Sequence, residues 1–88
     1  MMALITNHNI APFFKEGSIF IIDKDLLPEN NNLVAVMPSG KKNIKINKYV
    51  IKKHKRYLAS LDMNEFSEIH STKPIHILGV VVQIDAKT

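Results

Sequence analysis

The sequence predicts an all-β domain, and three observations carry that prediction. Ile, Val, Phe and Tyr occur in short runs with no sustained helical period. Those runs are bounded by Pro, Gly and Asn clusters, the residues that turn a chain. No internal repeat, low-complexity tract or linker divides the 88 residues, so they form one small unit.

The elements follow in order. Ala3 to Thr6 reads as a short strand. Ile10 to Lys15 turns around Pro12, and Gly17 releases the chain into a strand from Ser18 to Asp23. Leu26 to Asn32 is a loop rich in residues that hydrogen-bond their own backbone. Leu33 to Met37 is the next strand, and Pro38-Ser39-Gly40-Lys41 is a turn signal. Asn43 to Ile51 and Arg56 to Leu61 form a hairpin around Lys52-Lys53-His54-Lys55, and Asp62 to His70 is irregular. Lys73-Pro74 introduces a last strand, Ile75 to Ile84. Its Leu78-Gly79-Val80-Val81-Val82 is apolar at consecutive positions, so both faces should be covered. Gly79 inside that run points to a bulge or a close backbone approach. Phe13 and Phe14 are expected to anchor the turn in the core, and Met37, Met63 and Phe66 to pack in the core or at its rim.

Composition narrows the function classes. A hydrophobic share of 45% is ordinary for a globular chain. With no Cys there is no disulfide, thiolate metal site or Cys nucleophile. His8, His54, His70 and His76 have no metal-ligand spacing, and His8 reads as a surface-turn residue. Asp23 and Asp25 lack the Gly-bearing loop that holds Ca²⁺. No metal or cofactor is expected. No apolar run has the length of a membrane helix, and the N-terminus lacks the basic-then-apolar order of a signal peptide. A cytoplasmic protein without membrane contact is the natural expectation.

The net charge is +4, and it is unevenly spread. Lys41, Lys42, Lys45, Lys48, Lys52, Lys53, Lys55 and Arg56 crowd one segment. Such a run can contact phosphates through counterion release. It can equally be a solvated hairpin whose charges discourage edge-to-edge aggregation. Only Tyr49 and Tyr57 interleave with these cations, which favours the second use.

Asn9-Ile10-Ala11-Pro12, then Gly17-Ser18-Ile19-Phe20-Ile21-Ile22-Asp23, resembles the active-site run of the LexA/UmuD/phage-repressor family of Ser–Lys peptidases. There a Gly-Asp-Ser-Met-x-Pro turn leads to Gly-Asp and an apolar strand. Asn31-Asn32-Leu33-Val34-Ala35-Val36 resembles the family's Gly-Asp-x-Val-x-Val strand with its Gly-Asp lost. Leu58-Ala59-Ser60-Leu61-Asp62 is similar to Leu-x-Ser-x-Asn, and Ile77-Leu78-Gly79-Val80-Val81-Val82 to the closing Ile-x-Gly-x-Val strand. The resemblance covers nearly the whole chain. It implies several coiled β-sheets enclosing a small barrel.

The resemblance also assigns a site, with one departure. Asn9 falls on the nucleophilic Ser, and an amide is not a nucleophile that Lys can usefully activate. Ser18 stands where the family has Asp, and Thr6 precedes the turn by three residues. The family's general base is a Lys kept neutral by burial. Counting forward from Asn31 puts it at Lys45, and counting back from Leu58 puts it nearer Lys48. Strand alternation favours Lys48, because Ile44, Ile46, Lys48 and Val50 then share an apolar face. Asn9 and Lys48 are accordingly expected within hydrogen-bond reach or one water beyond it.

The implied function is a catalytically inactive regulatory and dimerisation domain of a prophage-type repressor, of the kind that serves the SOS response. A homodimer built on residues 74–84 is expected, the alternative being a central strand flanked on both sides within a monomeric chain. DNA would be read by a separate helix-turn-helix domain outside this chain. An active peptidase with a displaced nucleophile and a small basic barrel that binds nucleic acid are the alternatives.

Overall fold

The computed structural model describes residues 1–11, 13–38, 42–70 and 75–88. The turn residue Pro12, the Ser39-Gly40-Lys41 part of the turn signal and the Lys73-Pro74 lead-in lie outside that range. The strands are β1 (Met2–Ile5), β2 (Ile19–Asp23), β3 (Leu33–Pro38), β4 (Lys45–Lys52), β5 (Lys55–Ala59), β6 (Phe66–Glu68) and β7 (Ile75–Asp85). All pair antiparallel in one seven-stranded sheet, in the order β1-β2-β7-β3-β4-β5-β6. The domain is all-β, as its sequence predicts. β1 and β6 are the edges of a sheet that is not closed.

β6 lies in the stretch expected to be irregular. Phe66-Ser67-Glu68 is too short and too polar to show alternation. Its order comes from β5, through Tyr57↔Glu68, Leu58↔Ser67 and Ala59↔Phe66.

The last strand is interior. β7 pairs with β3 over Ile75 to Val80 and with β2 over Val80 to Asp85, so Val80 has Val34 on one side and Asp23 on the other. β7 is thus a central strand of the sheet, flanked by β2 and β3. Two register shifts bend it. Pairing steps from Ile21↔Gln83 to Ile22↔Val81, and from Ala35↔Gly79 to Val36↔Ile77. Each leaves one extra residue, Val82 and Leu78, and each such bulge adds twist. The molecule measures 37 × 26 × 24 Å.

The two faces of the sheet each carry an apolar cluster. Ala11, Phe20, Ile22, Ala35 and Ile46 are buried together, with Leu78, Val81 and Ile84 of β7 against them. Val34, Val36, Tyr49, Leu58 and Val80 form a second cluster, backed by Ile69 and Ile77. Bulges thus explain how a consecutive apolar run serves both faces. Phe14 anchors the N-terminal turn, its ring edge-on to Phe20 at 4.9 Å. Phe13 does not, being 64% exposed. Met63 and Phe66 are also exposed, so they lie at the rim.

Candidate functional site

Asn7 builds the turn that carries Asn9. Its Oδ1 accepts hydrogen bonds from the Asn9 amide at 2.9 Å and the Ile10 amide at 3.1 Å. Its carbonyl accepts from the Ile10 and Ala11 amides. A short polar side chain that caps amides two and three residues ahead is the usual device for starting a helical turn. The turn is then fastened to the sheet, because the Ile46 amide donates to the Ile10 carbonyl at 2.9 Å. Thr6 closes the base, its amide donating to the Ser18 carbonyl and its own carbonyl accepting from Gly17. Gly17 has φ +91°, a left-handed conformation that favours glycine.

A cleft of about 610 Å³ opens beside this turn, lined by Leu4, Asn7, Asn9, Ile10 and the segment Lys42 to Lys45. Asn9 and Lys45 share it, and Lys48 is not among its lining residues. Lys48 instead sits half-buried between Leu33 and Ala59 on the neighbouring strands. Ile46 and Val50 are buried on the same strand face, but Tyr49 on the other face is buried too, so β4 does not alternate cleanly. Lys45 lies on the opposite face and is exposed. Neither lysine is hydrogen-bonded to Asn9 among the described residues. The cleft thus brings Asn9 together with the lysine found by counting forward. The lysine with the more apolar surroundings is three residues further along.

Other candidate hydroxyls are engaged or shut away. Ser18 Oγ donates to the Lys15 carbonyl at 2.8 Å and accepts from the Lys87 amide at 2.9 Å. Ser60 Oγ donates to Asp62 Oδ1 at 2.6 Å. Thr6 Oγ1 is buried with no hydrogen-bond partner among the described residues. His8 is an exposed turn residue, and Asp23 Oδ1 caps the Asp25 amide.

Sequence reasoning passed over Asn7 and Asn43, and placed Lys42 only in the basic run. Asn7 carried a readable signal, since Asn just before a turn is a favoured cap. The place of Lys42 and Asn43 beside Asn9 carried none, because it depends on the chain folding back beside β1. Among the described residues no group of three or more His, Cys, Asp or Glu could hold a metal ion, and no helix is long and apolar enough to cross a membrane.

Neither the protein-family models nor the curated proteins contain a match to this sequence.

Proposed function

We propose that the chain is a LexA-like regulatory and dimerisation domain whose peptidase chemistry has been lost. The observation that carries this reading is the Ile46 to Ile10 hydrogen bond. It holds a turn bearing Asn9 against the strand bearing both candidate lysines, as a Ser–Lys site requires. The all-β antiparallel sheet, bent by two bulges in β7, is compatible with the corresponding fold of coiled sheets around a small barrel.

Two features support the loss of activity. Asn9 has no hydroxyl, and its amide already donates to Asn7 Oδ1. Acyl transfer needs free donors aimed at the developing oxyanion, and a capped amide is not one. Lys45 is the lysine that shares the cleft with the former nucleophile position, so it is the stronger candidate for the vestigial base.

The dimer contact is narrower than residues 74–84. β3 begins at Leu33, so among the described residues the β3 side of β7 beyond Val80 has no strand paired to it. A groove of about 360 Å³ runs there, lined by Asn31 to Leu33 and Val81 to Ile84. A two-fold mate pairing along this half-strand would satisfy its backbone in an isologous contact. DNA recognition would belong to a helix-turn-helix domain elsewhere, and the cytoplasm is the compartment this role implies.

Prolonged incubation at alkaline pH with a fluorophosphonate probe tests the chemistry, because high pH favours a neutral lysine. No adduct is expected on any serine. A stoichiometric adduct would mean that the site retains a nucleophile.

A further inference from the structure

We propose that the cleft beside Asn9 binds a small organic anion, a carboxylate or phosphate carrying a short apolar body. It rests on the reading above only in that a site without its nucleophile is free to hold something other than a substrate. Everything else comes from the lining.

The lining is rich in donors. Lys42 and Lys45 are exposed, and neither has a carboxylate partner among the described residues. Among the described residues no Asp or Glu lines the cleft. Asn7 is polarised by its own structural duty. Its Oδ1 is taken up by two backbone amides, which leaves Nδ2, a donor, for anything that enters. The carboxamides of Asn9 and Asn43 add two more groups able to donate. Two cations and amide donors without a competing acid select an acceptor that carries negative charge.

The rest of the lining sets the body of the ligand. Leu4, Ile10 and Ile44 are half-buried and pack against the N-terminal core cluster, giving the cleft an apolar floor. Its volume lies in the range of small-molecule sites, roughly 300 to 1,000 Å³. A charged head against Lys42, Lys45 and Asn7 with a short apolar chain over Leu4 and Ile44 uses each part of the lining.

Amide chemical shifts of the ¹⁵N-labelled protein test this, with hexanoate, phenyl phosphate and hexylamine as probes. At least one anion should give saturable shifts at Asn7, Asn9, Ile10 and Lys42 to Lys45, and its identity separates carboxylate from phosphate. Hexylamine should give none there. Lys42→Gln with Lys45→Gln should weaken the anion about tenfold, the scale of two exposed ion pairs. Lys52→Gln with Lys53→Gln should leave it unchanged. Asn7→Asp is the sharpest variant, because Asp caps amides as well as Asn yet turns the outward donor into a like charge. Its melting temperature should hold while anion binding is lost. The proposal is overturned if neither anion shifts these amides, if hexylamine shifts them equally, or if shifts spread over Lys52 to Arg56. An adduct in the fluorophosphonate assay would overturn the lost-chemistry reading alone.

Discussion

Gly79 and Asp23 approach so closely that a Cβ on Gly79 would stand 2.7 Å from the Asp23 carbonyl oxygen. Ile22 Cγ2 would be equally close, at 2.7 Å. The Asp23 contact is backbone against backbone, so it cannot be relieved by a rotamer change. It falls beside the Leu78 bulge, where β7 leaves β3 for β2. Gly79→Ala should therefore destabilise the domain by about 1–3 kcal/mol, the usual cost of overpacking. Urea denaturation measures it, and a change below about 0.5 kcal/mol, the level of an ordinary surface substitution, would contradict the close approach.

Lys53 and His54 form the two-residue turn between β4 and β5 with φ +49° and +65°. Positive φ at both positions is the hairpin geometry that Asn-Gly adopts without strain. Here two ordinary L-residues carry it, at about 1 kcal/mol or more each. Lys53→Asn with His54→Gly should raise stability by about 1 kcal/mol, visible as a higher thermal midpoint. An unchanged or lower midpoint would contradict this turn geometry.

Asp62 organises the loop between β5 and β6. The Ser60 hydroxyl, then the Asn64 amide, donate to its carboxylate and hold its pKa below the ordinary value of 3.8. A depressed carboxylate stabilises the fold above its unfolded pKa, and that contribution disappears as pH falls through the folded pKa. Carbon-detected titration should show Asp62 ionising below 3.8, and Ser60→Ala should move it back up. A Ser60→Ala titration that leaves Asp62 unmoved would remove the hydroxyl as the main cause.

Much of the fold was legible because alternation and turn residues are local signals. β1 to β5 and β7 fall close to the positions where Ile, Val and Phe cluster between Gly, Pro and Asn. Gly79 was legible for the same reason, as a small residue inside a bulky run. β6 was not, since Phe66-Ser67-Glu68 gains its structure from Tyr57 to Ala59 across the sheet. The interior place of β7 was only one of two readings that its apolar run allowed. Apolarity marks a strand as buried but not which strands flank it. At the site, Asn9 was legible as a turn residue, but the chain's return at Lys42 to Lys45 beside it is long-range geometry.

Self-association through β7 is the property on which the regulatory-domain reading most depends, and sedimentation equilibrium at micromolar concentration measures it. Val82 is 44% exposed on the half of β7 that has no β3 partner. A lysine there should leave the core intact while placing two like charges at a two-fold contact. The unmodified protein should sediment as a dimer and Val82→Lys as a folded monomer. A monomeric unmodified protein, or a dimer indifferent to Val82→Lys, would contradict the proposal.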